Sequence, residues 1–159
     1  PEKIRKSVKL YRCDLLFVHR DGEGIPREKR VAEIKRALAD TAHPPAVCVV
    51  PVRMTEAWLL SDEKAIRKAA GNPNGNQPLK LPIMNNIENL ANPKQILHDL
   101  LRHASGTTNK RRFKKLAVNS LTFRVPRFTS SFAPLRELDA FNNLEKELLE
   151  IIAEQNWNH

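Results

Sequence analysis

Two acids stand one residue apart in the stretch Leu15 to Gly24, LLFVHRDGEG: Asp21 and Glu23, flanked by Gly22 and Gly24. On extended backbone alternate side chains share a side, so the two carboxylates project together if the strand conformation persists to its end. Like charges that close repel unless a cation, a proton or a basic side chain sits between them. A divalent cation is the economical solution, and an oxygen-only site with few protein ligands and several waters suits Mg²⁺ or Mn²⁺. Asp-Gly followed by Glu is also ordinary turn chemistry that binds nothing. Position separates the two readings, because α/β proteins place ligands where the chain leaves a parallel strand for a helix.

The elements that would position these acids can be read from the pattern around them. Leu15 to Val18 is a continuous apolar run, as expected for a strand buried on both faces of a parallel sheet. Pro26 suits a first helical turn, and Val31, Ile34 and Leu38 form an apolar stripe through a charged helix ending near Asp40. After the break at His43-Pro44-Pro45, Ala46 to Val50 supplies a second buried strand, which completes a strand–helix–strand unit and requires parallel pairing.

The second strand leads into PVRMTEAWLL, where Thr55 or the turn before it caps a helix that turns Trp58 and Leu59 inward. Glu56 then sits near a helix start at the edge of the same sheet, where it could face Asp21 or simply favour the helix dipole. His19 and Arg53, both near strand ends, could stabilise developing charge or be ordinary polar strand ends. Ser61-Asp62-Glu63 opens a short helix through Ala70, with Asp62 as its N-terminal acid. Gly71 to Pro82 reads as a loop, either a plain connection or a mobile cover. Asn92 caps the next helix, Pro93 starts it, and His98 and His103 are not at the spacing that brings two histidines to one metal.

The chain has 159 residues, 41% apolar and 28% charged, enough for one domain over 1–159 with a real core. No run approaches a membrane span, so the cytoplasm is the default location, and with no strongly basic amphipathic anchor evident no membrane partner is expected. Cys13 and Cys48 lie in or beside apolar runs and read as buried free thiols. The net charge of +9 points to a polyanion, nucleic acid before membrane. Lys110, Arg111, Arg112, Lys114 and Lys115 put five cations within six positions around Phe113, a cluster that can line a phosphate track or form a solvated helix face. Arg124 and Arg127 follow, among Phe123, Phe128 and Phe132. The last helix, with Phe141, Leu144, Leu148, Leu149, Ile151 and Ile152, closes the core or serves a partner. At the other end Ile4, Val8 and Tyr11 have helical spacing, as in the last turns of a helix begun earlier, or form a frayed basic tail. The start at Pro1 suggests that an N-terminal part is missing.

Four segments, LLFVHRDGEG, PVRMTEAWLL, IENLANPKQIL and SSFAPLRELDAF, together spanning Leu15 to about Phe141, carry a resemblance. The chain resembles the Toprim-like group of small uncharacterised proteins found beside ATPases in bacterial defence loci. The resemblance implies an α/β, Toprim-like three-layer fold with a small, mainly parallel sheet flanked by helices, and acids that use Mg²⁺ for phosphodiester chemistry. Asp21 and Glu23 match the paired acids, with Glu in place of the usual second Asp, and Glu56 matches the acid of the Glu-Ala-Trp segment. The glutamate of an earlier first strand has no counterpart here, so that strand would lie in the missing part or the site would be incomplete. The expectation is a Mg²⁺-dependent nuclease acting on nucleic acid in phage defence. The alternatives are a non-catalytic nucleic-acid-binding or regulatory subunit of an ATPase complex, and a basic α/β protein whose acids cap turns.

Overall fold

The computed structural model describes residues 2–157, apart from the side chains of Lys110, Arg112 and Lys114. It is a mixed α/β structure with the order α1 (Glu2–Leu10), β1 (Leu16–His19), α2 (Arg27–Ala39), β2 (Ala46–Val49), α3 (Glu63–Ala69), α4 (Pro93–Ala104), α5 (Lys110–Lys115), α6 (Val118–Thr122), α7 (Val125–Phe128) and α8 (Asp139–Glu154). Tight 3₁₀ turns cover Thr55–Ser61, Met84–Asn89 and Ala133–Glu137. The chain divides into two compact units, Pro1–Arg53 with Asp139–His159, and Met54–Leu138.

In the first unit β1 and β2 pair in parallel, Leu16 opposite Ala46 through His19 opposite Val49, with α2 as the crossover. Arg30, Ile34 and Leu38, spaced i, i+4, i+8, make the buried face of α2. Ile34, Leu38, Cys48 and Val50 form a core against which Ile4, Leu16, Val18, Val31 and Ala46 pack. Pro26 precedes α2 as its cap residue rather than opening its first turn.

The expectation of a first strand buried on both faces is not met. Leu16 and Val18 face the core, but Phe17 on the other face is 53% exposed, so apolar continuity there reflects something other than burial. Cys13 is exposed, not buried, because it lies ahead of the strand in the turn that leaves α1; Cys48, inside β2, is buried. In α8 only Ala140 is fully buried, and the stripe from Phe141 to Ile152 is half-covered with Leu149 exposed.

The second unit is helical. Trp58 and Leu60 from the first 3₁₀ turn, Ile66 from α3, Ile87, and Leu97 and Leu101 from α4 form its interior, with Val118, Val125 and Leu135 anchoring the later short helices. Two caps follow the sequence: Asp62 Oδ1 accepts from Ala65 N at 2.9 Å, and Asn92 Oδ1 accepts from Gln95 N at 3.1 Å. Thr55 does not cap; Met54 occupies that position in extended conformation, without a side-chain hydrogen bond. The Gly71–Pro82 loop is tied down near its start by Asn72 Nδ2 donating to Ala104 O at 2.9 Å and at its middle by Arg67 Nη2 donating to Gln77 O at 2.5 Å. Its glycines serve packing as well, since Gly75 leaves room for the Asn72 side chain.

Candidate functional site

The acidic segment is built onto the end of the parallel pair. Leu16 N, Arg20 N and Gly22 N donate to Pro45 O, Val49 O and Pro51 O, so the alternation of a parallel ladder continues past the strand to Gly22. Glu23 N still reaches Arg53 O at 3.2 Å. This close approach demands glycine at 22: a Cβ there would lie 2.7 Å from Pro51 O and closer still to Val52 O. Asp21 therefore keeps the side of the strand that Phe17 and His19 occupy, and its Oδ1 lies 3.0 Å from His19 Nε2.

Glu23 departs from that side. Its φ of 53° and that of Gly24, 81°, turn the chain through left-handed backbone, so the strand conformation ends before the second acid. Glu23 Oε2 instead meets Arg30 Nη2 at 3.2 Å. Arg30 also binds Glu33 Oε2 at 3.0 Å through Nη1 and donates from Nε to Gly22 O at 3.3 Å, with only 5% of its side chain exposed. The guanidinium beside Glu33 holds that carboxyl below its ordinary range, with Arg20 adding to the effect. A buried arginine is thus the counter-charge of this loop, and each acid has a different basic partner.

A cavity of about 350 Å³ opens in the same unit at the strand ends, lined among others by Gly24, Arg27, Val52, Asp139 and Asn143. Arg53 is half-buried and its carbonyl holds Glu23, which ties it to the site through backbone rather than charge. Glu56 belongs to the second unit, half-buried in the first turn of Thr55–Ser61. There its charge acts on His98 of α4, whose imidazole is pushed toward the neutral form by burial, Lys94 and Arg102. His98 Nε2 is buried without a hydrogen-bond partner among the described residues.

Among the described residues no three His, Cys, Asp or Glu side chains are grouped to hold a metal ion. Asp21 fits Mg²⁺ as a carboxylate one-third exposed at the strand end, and Mg²⁺ commonly takes one or two protein carboxylates and fills its remaining positions with water and phosphate. Glu23 could join it only by sharing its charge with Arg30.

Of the basic cluster, Arg111 and Lys115 line one open cavity of about 540 Å³ with Asn109, Leu116 and Ala117. The side chains of Lys110, Arg112 and Lys114 lie outside those described. Asn109 starts this helix, its Oδ1 accepting from Arg111 N at 2.9 Å, and Phe113 packs edge-on to His103 with ring centres 5.9 Å apart. Phe113 is thus a packing group.

Residues 2–125 match a family described as a domain of unknown function, DUF4276. The chain belongs to the DUF4276 family. No curated protein and no solved structure matches it. The DUF4276 span contains the acidic loop, Glu56 and the Lys110–Lys115 helix, while α8 lies beyond it. Among the described residues of this DUF4276 chain, no helix is long and apolar enough to cross a membrane.

Arg30 is the site residue that sequence reasoning missed. Its signal was available, since it stands one turn before Ile34 on the stripe that Leu38 continues, and a cation on an apolar stripe has to be paired.

Proposed function

We propose that this chain is a Toprim-type, Mg²⁺-dependent nuclease acting in the cytoplasm on nucleic acid phosphodiesters, in phage defence beside an ATPase partner. One observation carries the reading: Asp21 stands at the shared C-terminal edge of a parallel βαβ unit, on a loop bonded to the chain leaving the neighbouring strand. The left-handed Glu23 adds support, because a non-glycine residue there costs about 1–2 kcal/mol, and such conformations concentrate at functional sites. Asp21 would hold the metal, with Glu23 as a further carboxylate and Mn²⁺ as a substitute. A bound Mg²⁺ would offset charge developing on the phosphodiester. His19, tied to Asp21, keeps its imidazole beside the acid, and Arg30 holds the loop in register. Lys110, Arg111, Arg112, Lys114 and Lys115 would bind flanking phosphates.

A non-catalytic regulatory subunit of an ATPase complex is the second reading, favoured by the Glu23–Arg30 pair, which already neutralises one acid. Cleavage of labelled DNA and RNA in Mg²⁺ separates the two. The nuclease reading expects cutting that Asp21→Asn abolishes with the thermal transition unchanged. Absent cutting, or cutting that survives the substitution, removes the site assignment.

A further inference from the structure

Fourteen of the 27 Lys and Arg and six of the 18 acids lie between residues 54 and 138, so this unit holds eight of the nine surplus positive charges. Within it, residues 100–136 contain nine Lys and Arg and not one Asp or Glu. Arg102 is paired with Asp99 just outside the span, and the other cations have no acid within it, a charge pattern that favours a polyanion.

The second half of this span has a further property. Phe123, Phe128 and Phe132 are 76%, 37% and 45% exposed. The same stretch buries the smaller Val118, Val125 and Leu135 completely or nearly so. Area bookkeeping favours the reverse choice, since phenylalanine gains more from burial than valine. Singly exposed apolar residues need no explanation, but three exposed phenylalanines within ten positions of one acid-free segment exceed that background. Arg124 and Arg127 alternate with them, both exposed, and the Arg124 guanidinium carbon lies 5.7 Å from the centre of the Phe128 ring.

We infer that Phe123, Phe128 and Phe132, with Arg124 and Arg127, form a platform for single-stranded nucleic acid. Open aromatic faces accept unpaired bases by stacking, whereas a duplex keeps its bases stacked on one another and presents only backbone and groove edges. The interleaved arginines meet phosphates, and Arg111 and Lys115 extend the basic track. This deepens the proposed function by naming the substrate class, and it moves recognition from the Lys110–Lys115 helix to the segment that follows it.

The test is fluorescence anisotropy with one mixed-sequence oligonucleotide, as single-stranded DNA, single-stranded RNA and DNA duplex. It uses the full chain carrying Asp21→Asn in EDTA, so its outcome is independent of cleavage. A single strand should bind more tightly than the duplex. Phe123→Ala and Phe132→Ala, on the two most exposed of the three rings and expected to keep the parent melting temperature, should each weaken single-strand binding about 5- to 150-fold. Arg124→Gln with Arg127→Gln should reduce the slope of log K against log salt by about 1.4. Equal binding of duplex and single strand overturns the platform, as do phenylalanine variants within twofold of the parent. Binding to phosphatidylserine vesicles in place of either oligonucleotide assigns the patch to a lipid surface and overturns it too.

Discussion

Arg30 Nη2 lies 3.2 Å from Glu23 Oε2, the arginine buried and the glutamate 61% exposed. The pair joins the helix after β1 to the acidic loop that follows the strand, and the same guanidinium holds Gly22 O. Its loss leaves exposed acids, which water can solvate, rather than a stranded buried charge. Arg30→Met keeps most of the buried side-chain volume and removes charge-assisted hydrogen bonds, so a destabilisation of about 1–3 kcal/mol is expected in urea unfolding. A change within a few tenths would show that the pair does not hold the loop.

Gly22→Ala tests the seam between the two strand exits. The new methyl would press on the carbonyls of Pro51 and Val52, and backbone has little room to yield. A loss of about 2–3 kcal/mol, the upper part of the usual overpacking range, follows because the methyl meets backbone atoms. Gly24→Ala, where nothing lies within 4 Å of a Cβ but φ is 81°, should cost only the backbone term, about 1 kcal/mol. Equal losses at the two positions would rule out the close contact.

The βαβ unit was legible because its signals are local: two short apolar runs, a charged helix between them and a proline break. Asn92 and Asp62 were legible as N-terminal residues for the same reason, each binding an amide three residues on. What could not be read was the turn at Glu23, since nothing in Asp-Gly-Glu-Gly fixes which residue takes the left-handed conformation and hence where the second carboxylate points. The exposure of Phe17 was hidden likewise. An apolar run shows that a strand forms, while which faces are covered depends on neighbours far along the chain.

The cysteines give a chemical check on burial. Cys13 is exposed, and Cys48 has its thiol pKa pushed up to about 11, by burial first and by Glu147 next. Iodoacetamide at pH 8 should label Cys13 and leave Cys48 untouched until the chain unfolds, read by mass spectrometry. The raised value has a thermodynamic counterpart. The folded state keeps the Cys48 proton, so this contribution to stability is intact below the unfolded thiol pKa, about 8.5, and is lost as pH rises toward about 11. Cys48→Ala should flatten that alkaline slope.

His98 predicts the opposite dependence. Burial, Lys94 and Arg102 lower its pKa, while Glu56 on the facing turn and Asp99 on its own helix oppose them without prevailing. The fold therefore prefers neutral imidazole, and the unfolded chain takes up a proton first, near pH 6.5. Stability from this group is present above that pH and is lost as pH falls through the lowered folded value. Nε2 is buried without a partner among the described residues, so an apolar replacement removes an unsatisfied polar atom along with the titration. His98→Leu should leave the urea midpoint at neutral pH unchanged or slightly raised, and should reduce its fall on acidification. A midpoint that falls as steeply in the variant as in the parent would place the acid sensitivity elsewhere, and a large loss at neutral pH would mean that the imidazole makes a bond the fold needs.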